Sequence, residues 1–531
     1  MNYTSRGIRH EKTKAFSHLV TDYIDQNAFL KNFYSHSPDL KGLHNAIMDK
    51  GNSRVNRALL VKALTEQYNN TDTSEKVLEN IQQLSLENTF TICTAHQPNI
   101  FTGYLYFIYK ILHTVKIAAE LKSKYPENNF VPVYYMGSED NDLEELNHIN
   151  LNGDRLTWQT TQTGAVGRMH TKGMADIIEK INGQLSIFEH GPALIAALKE
   201  AYLKSATIQE ATLKLVDFFF KEYGVIVLIA DTPVLKKQMI PVFKDDLVNH
   251  TPKTIVETTT QQLSEKYHIQ VNPRDINLFY MKDNLRERIV QDGNGFRINN
   301  TELYFTKEEI EKELENNPQR FSPNVVLRGL YQETILPNIA FIGGGSEIAY
   351  WLELKDMFTH YNIPFPALVL RNSFLIIEEK MAELAGRLQI NDELLFEDVN
   401  VIFSTLVRAQ SYQQLSIEKE ITALADIYDQ IKKVSITIDI TLEQHVDALK
   451  NRAEKQLKNL EKKLLRAEKR KHHDQQAQIV KLKSHLFPNN SLQERVENIL
   501  PYYARYGAGF IKMLYDHSPA LLQQVTIIEE R

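Results

Sequence analysis

Three polar side chains suited to acyl or phosphoryl chemistry, His96, Gln97 and Asn99, follow directly on the apolar run Phe90-Thr-Ile-Cys-Thr94. An imidazole and two amides can stabilise charge that develops on a phosphate or carbonyl oxygen. After them the stretch Thr102-Gly-Tyr-Leu-Tyr-Phe-Ile-Tyr-Lys110 is patterned as an amphipathic helix, carrying Gly103, Tyr106 and Lys110. A buried strand that ends in such residues and runs into a helix delivers them to the mouth of an open α/β sheet, where unpaired helix N–H groups also point.

Other segments offer complementary chemistry. Phe341-Ile-Gly-Gly-Gly-Ser-Glu-Ile-Ala-Tyr-Trp351 reads as a strand ending in Gly343, Gly344 and Gly345, with Ser346 placed to cap the next helix and Glu347 in its first turn. Glycines let backbone approach a ligand, and a helix start favours anions, although a plain tight turn uses the same residues. The spacing is neither a Walker loop nor a GxGxxG fingerprint. Gly137-Ser-Glu-Asp-Asn-Asp-Leu-Glu-Glu145 places five acids in seven residues. Some of these offset a helix dipole, while Glu139, Asp140 and Asp142 are candidates to bind an amine, hydroxyls or a magnesium ion. Ser322-Pro-Asn-Val-Val-Leu-Arg328 puts Asn324 and Arg328 on the first turns of a helix, and Arg371 follows a strand pattern directly. Each arginine suits a carboxylate or phosphate through its planar fork, or a structural ion pair. His472-His473, in a basic run, reads as solvated.

The elements that must position these residues are short apolar runs. Phe90–Thr94, Val131–Met136, Val225–Ile229, Ile339–Ile342 and Ala367–Leu370 mostly alternate with helical patterns, the signature of a parallel, doubly wound α/β sheet. Helical spacing dominates the first 85 or so residues. Two long intervals between strands imply insertions, the second of them partly β around a turn at Asp292-Gly-Asn-Gly295. From Thr441 to about Leu486 the spacing predicts one long helix with a coiled-coil seam, ten basic residues against three glutamates falling between Lys450 and Lys471. A closing helix is expected over Leu492–Leu500. The domain reading is N-terminal helices and the first part of the core over 1–150, a first insertion over 151–215, and the core continued over 216–250. A second insertion covers 251–320, the core is completed over 321–385, a coiled-coil domain spans 386–500, and 501–531 packs back.

Composition bounds the function. At 531 residues and 43% hydrophobic the chain forms several packed domains, and a net charge of −6 argues against nucleic acid as a partner. No apolar run is long enough to span a membrane and Met1-Asn-Tyr-Thr-Ser-Arg6 has no signal core, so a cytoplasmic location without membrane contact is expected. Cys93 is the single cysteine, either a small buried hydrophobe or a reactive thiol; alone it excludes an intrachain disulfide and a multi-cysteine zinc site.

Together, the His/Gln turn with Thr102–Lys110, Ser138-Glu-Asp-Asn-Asp-Leu-Glu-Glu-Leu-Asn147, Ser322–Arg328, Glu347-Ile-Ala-Tyr-Trp351 and Leu486-Phe-Pro-Asn-Asn-Ser-Leu-Gln-Glu-Arg495 resemble the bacillithiol-biosynthesis cysteine-adding enzyme family. The resemblance runs from about residue 90 to the C-terminus. It departs from the family's common pattern at Ala95-His96, Tyr104, Asn141 and Gly345. It implies a Rossmann-like core related to class I aminoacyl-tRNA synthetases, a coiled-coil arm supporting a homodimer, and joining of the cysteine carboxyl to the amine of glucosaminyl-malate. An ATP-dependent ligase would use ATP or another nucleotide as co-substrate, with magnesium as a candidate ion and no zinc. In that reading His96, Gln97 and Asp140 are catalytic. Asn99, Gly103, Tyr106, Lys110, Glu139, Asp142, Asn324, Arg328, Tyr350, Trp351 and Arg371 bind substrate, while Gly343 to Glu347 hold nucleotide or anion. Two rivals stand beside it: a nucleotide-binding scaffold or regulator acting through the basic arm, and a sugar or nucleotide transferase, since doubly wound sheets host many.

Overall fold

The structure, a computed structural model, describes residues 3–410 and 416–531; the Met1-Asn2 start of the segment read as lacking a signal core lies outside the described residues. Strands β1 (Thr89–His96), β2 (Asn129–Met136), β3 (Ile226–Ile229), β4 (Asn338–Gly343) and β5 (Ala367–Leu370) form one sheet in the order β5-β4-β1-β2-β3. All its pairs are parallel. The strands are buried along nearly their whole length, which is why they read as continuous apolar runs rather than alternating ones.

The chain lays down β1, β2 and β3 toward one edge, then returns to place β4 and β5 on the other side of β1. Strand order therefore reverses between β1 and β4, and their C-terminal ends leave a crevice, the usual ligand position in an open α/β sheet. Helix α1 (Leu105–Lys124) leaves the β1 side of that crevice, α2 (Val325–Ile335) leads into β4, and α3 (Gly345–Leu352) leaves it. The N-terminal helix Leu40–Gly51, which follows shorter helices such as His18–Ile24, packs Leu43, Ala46 and Ile47 into a core with Ile92, Ile117, Leu121, Ile339 and Val369. Burying each such aliphatic side chain stabilises the fold by about 1.5–3 kcal/mol.

Both insertions carry antiparallel structure. The first opens on a hairpin, His148–Leu151 with Asp154–Thr157, turned at Asn152 (φ 50°) and Gly153 (φ 92°), before three helices between Met174 and Phe220. The second contributes four consecutive antiparallel strands between Leu278 and Thr306, among them the hairpin Leu285–Asp292 and Gly295–Ile298 with Asp292 paired to Gly295 across the expected turn, and Phe321–Pro323 joins the same sheet beside Leu278–Tyr280.

The reading of the first 85 residues as helical is corrected at Tyr3–Ile8, a strand in a three-stranded sheet with Val525–Glu530 and Ser373–Ile377. Its pairing partner comes from the far end of the chain, so no local periodicity announces it.

The chain divides into two compact units, and the unit described so far comprises residues 5–375 and 493–528. The other comprises residues 376–492 with the two extreme termini. It contains α4 (Val399–Gln410), α5 (Glu418–Ile438), α6 (Leu442–Lys469) and α7 (His473–Leu486). The single helix expected over 441–486 is corrected to two, interrupted by a tight turn at Arg470–His472. Cations at Lys469, Arg470 and Lys471 suit a helix C-terminus, where the dipole is negative, better than a helix interior. The coiled coil is intrachain. Helices α5 and α6 run antiparallel through Asp439-Ile440-Thr441, clamped by Lys432 to Asp447 (2.8 Å) and Glu443 (3.0 Å) and by Lys450 to Asp429 (2.7 Å).

Candidate active site

The turn after β1 is fixed from below. The His96 carbonyl accepts from Gly137 N–H (2.8 Å) and Tyr134 Oη (3.0 Å), so the ends of β1 and β2 stay level. Phe101 (φ 50°) and Thr102 (φ 70°) then take left-handed backbone, which costs non-glycine residues about 1–3 kcal/mol each. Phe101 N–H donates to Tyr202 Oη (2.6 Å) and its carbonyl accepts from Asn498 (2.9 Å), bonds that hold the turn in place. Gly103 (φ 63°) closes it, and a Cβ there would lie 2.8 Å from Asn99 Cβ. Asn99 and Gly103 thus shape the turn from within the fold and do not line the cavity above it.

That cavity, about 530 Å³, opens at the crevice between β1 and β4. Its lining includes His96 and Gln97 after β1, Tyr106 and Lys110 on α1, Arg328 on α2, Gly344 to Glu347 with Tyr350 and Trp351 around α3, and Arg371 after β5. Tyr106 and Lys110 share a face because they are four residues apart on a helix. Gly343 lies within β4, short of the cavity.

The charges are mostly committed. Lys110 Nζ, buried, donates to Glu347 Oε2 (2.6 Å) and the Ala95 carbonyl (2.5 Å); burial lowers its pKa while Glu347 opposes that. Glu347 Oε2 also accepts the Gly344 N–H (2.7 Å), so the chain's own carboxylate occupies part of the anion position expected at the glycine turn. The Gly345 and Ser346 N–H groups remain at the helix start. Arg371 donates to Glu494 Oε1 (2.7 Å) and the Asn372 carbonyl (3.0 Å), and its guanidinium lies 5.3 Å from the centroid of the Tyr106 ring.

His96 stands against Tyr106 and Phe107, each ring 5.3 Å away, with Nε2 enclosed and without a hydrogen-bond partner among the described residues. Burial, then the charges of Lys110, Arg371 and Arg328, hold its pKa well below the ordinary 6.5. At neutral pH the imidazole is uncharged.

The acidic segment does not converge. Asp140 lies behind the cavity, accepting from Gln97 Nε2 (3.4 Å) with Arg328 at 3.7 Å. Burial pushes its pKa up, but Arg328 and Arg286 outweigh that and hold it low. Glu139 pairs with the buried Lys236 and accepts from Ser322 Oγ (3.2 Å), while Lys236 also lies 3.4 Å from Asp231. Asp142 caps the short helix Leu143–Leu146 through the Glu145 N–H (3.2 Å). Glu139, Asp140 and Asp142 therefore do not meet on one ligand, and among the described residues no group of three or more His, Cys, Asp or Glu is arranged to hold a metal ion. Asn324 caps α2 through Val326 N–H (2.8 Å) and donates to Asn277 Oδ1 (2.9 Å), away from the cavity. Cys93 is buried in β1 and burial pushes its thiol pKa far up, which favours the small-hydrophobe reading over the reactive one.

Residue types alone did not single out Tyr104, Glu145 or Arg495, yet all three line the cavity. Arg495 stands where a helix over Leu492–Leu500 was expected. Only a short turn, Gln493–Arg495, forms there, and the next helix starts at Leu500-Pro501. The buried Glu494 reaches Arg371 and Ser373, while Asn498 caps Leu500 N–H (2.8 Å) and holds the β1 turn; a continuous helix could not satisfy both. The one sequence signal was the Gln-Glu-Arg495 ending of the family-like block.

Among the described residues no helix is long and apolar enough to cross a membrane. The family model described as bacillithiol biosynthesis BshC, N-terminal Rossmann-like domain, matches residues 4–372, and that described as its C-terminal coiled-coil domain matches 374–530. A relative from Flavobacterium johnsoniae bearing the name "Putative cysteine ligase BshC" is 40% identical over 98% of this chain and 99% of its own. Relatives with the same name from Cytophaga hutchinsonii and Salinibacter ruber are 40% and 27% identical, covering 95% and 96% of this chain and 95% and 94% of theirs.

Proposed function

The chain belongs to the BshC family of bacillithiol biosynthesis, and from that premise we propose that it is a cysteine ligase that joins the cysteine carboxyl to the amine of glucosaminyl-malate after ATP activates the carboxyl. The observation that carries the reading is an uncharged His96 facing Lys110, Arg328 and a helix start across one cavity at the reversal of strand order. Its volume, about 530 Å³, falls in the range of small-molecule sites.

A carboxylate is a poor electrophile. In the proposed route a cysteine carboxylate oxygen attacks a phosphorus of ATP, forming an acyl–phosphoryl bond and releasing pyrophosphate, or ADP if the γ-phosphorus is attacked. The sugar amine then attacks the acyl carbon, AMP or phosphate departs, and the amine loses a proton. Charge builds on phosphoryl oxygens in the first step, where Arg328, the α3 start and the neutral His96 can oppose it. The Lys110–Glu347 pair holds α1 against α3 and so positions both walls. Tyr350, Trp351, Val325 and Phe341 supply an apolar end suited to a planar base. Magnesium, in this reading, enters on the nucleotide's phosphates rather than in a protein cage.

The proposed assembly is a homodimer. Ile427, Ile431, Val434 and Ile438 are exposed along one helix of the arm at spacings of three and four, a row that supports self-pairing. Sedimentation at twice the chain mass of 61.4 kDa is expected, and a 61.4 kDa species at all concentrations would contradict it. The ligase itself is tested by incubating the protein with ATP, cysteine and glucosaminyl-malate. Mass spectrometry should detect the cysteinyl conjugate together with AMP or ADP; folded, nucleotide-binding protein that yields no conjugate would overturn the reading.

A further inference from the structure

Four cations line the cavity at the crevice between β1 and β4, and three have carboxylate neighbours: Lys110 with Glu347, Arg371 with Glu494, and Arg328 with Asp140 at 3.7 Å. Arg495 differs. Its exposed side chain lies at the cavity with no carboxylate partner among the described residues.

The strap that carries it is fixed on both sides. Glu494 accepts from Arg371 (2.7 Å) through one oxygen and from Ser373 Oγ (2.7 Å) through the other. The Val496 carbonyl accepts from Asn150 Nδ2 (3.1 Å), and the Glu497 carbonyl accepts the Leu105 N–H (2.8 Å). Asn498 donates to the carbonyls of Phe101 and Gly103. Both residues flanking Arg495 are therefore tied to the body of the fold, so binding a ligand there orders little additional backbone. The Glu497–Leu105 bond sets the strap beside the start of α1, where Tyr104 and Tyr106 have ring centroids 5.9 Å apart. Tyr104 Oη is oriented by His148 Nε2 (3.0 Å), and Glu145 lines the same cavity.

We infer that this rim is the acceptor subsite: Arg495 binds a carboxylate of an acidic amino sugar through its fork, Glu145 faces the sugar's amine or hydroxyls, and Tyr104 and Tyr106 offer faces to the ring. The identity of the attacking amine rests on the ligase reading; the recognition of a carboxylate by Arg495 does not. Arg371, whose fork is already engaged by Glu494, is assigned to holding the strap instead.

The test compares two acceptors, glucosaminyl-malate and methyl glucosaminide, the second sharing the amine and sugar but lacking carboxylates. R495A should lower kcat/KM for glucosaminyl-malate by about 10- to 100-fold, the worth of a charge-assisted hydrogen bond, mostly through KM. The loss with methyl glucosaminide should be far smaller, so the preference for the acidic acceptor collapses, and R495K should restore part of it. An unchanged preference in R495A would overturn the inference. Calorimetric binding of glucosaminyl-malate, with no ATP or cysteine, separates the two claims. If wild type forms no conjugate yet binds this ligand, and R495A binds it at least tenfold more weakly (~1.4 kcal/mol), the ligase reading falls and the subsite stands. Equal binding by both proteins, or none by either, overturns the subsite.

Discussion

His96 is held uncharged by burial and by the surrounding cations, so its protonation lies well below pH 6.5. A group in that state adds no inflection near 6.5 to the acid limb of kcat/KM. The expected profile stays level through that region, and H96A should lose about 100- to 1000-fold in kcat without a new inflection, as for removal of a donor to a developing oxyanion. An inflection near 6.5 that disappears in H96A would show that a charged imidazole does the work. At this scale much of the cavity was legible in the sequence: His96, Gln97, Lys110, Arg328 and Glu347 sit at strand ends and on the first two turns of helices, which local pattern locates. Glu139, Asp142 and Asn324 show why the rest was not. Their residue types suit ligand binding, but Lys236 and Asn277, which engage Glu139 and Asn324, lie far away in sequence, and Asp142 caps its own helix.

Elements position the cavity through buried polar joints. Asn277, just before the strand Leu278–Lys282 of the second insertion, donates to Asp246 through its backbone (2.6 Å) and side chain (2.9 Å) and accepts from Asn324 at the start of α2. Arg328 thus stands on a helix anchored through Asp246. Burial raises the Asp246 pKa from 3.8 to about 7 in the fold, although Asn277 opposes the shift. The native state therefore keeps a proton that the unfolded chain releases, and this site's contribution to stability declines as pH rises from 3.8 to about 7. In D246N that decline disappears. Relative to wild type, the variant should gain about 4 kcal/mol between about pH 4 and pH 8, read from urea unfolding at both. A constant difference at the two pH values would show that Asp246 is not the buried titrating group. The helical hairpin of the arm follows the same lesson about distance. The seam on Leu442–Lys469 was visible as a period, whereas its partner, Glu418–Ile438, became evident only from cross-helix pairs such as Lys450 with Asp429.

Across the whole molecule, the five apolar runs were enough to read a parallel, doubly wound sheet, because strands buried on both faces leave no polar alternation to confuse them. What joins the two ends of the chain was invisible: Tyr3–Ile8 pairs with Val525–Glu530, and residues 493–528 return to the unit that holds the sheet and bring Arg495 to its cavity. Long-range returns of this kind are set by tertiary pairing, not by local propensity. The proposed function turns on activation of the cysteine carboxyl by a nucleotide in this cavity before the amide forms. Cysteine labelled with oxygen-18 in its carboxyl, incubated with ATP, glucosaminyl-malate and the protein, tests it directly. Activation requires one label to leave with the phosphoryl group, appearing in AMP for an adenylate or in inorganic phosphate for an acyl phosphate. Conjugate that forms while neither AMP nor phosphate carries label would contradict the account.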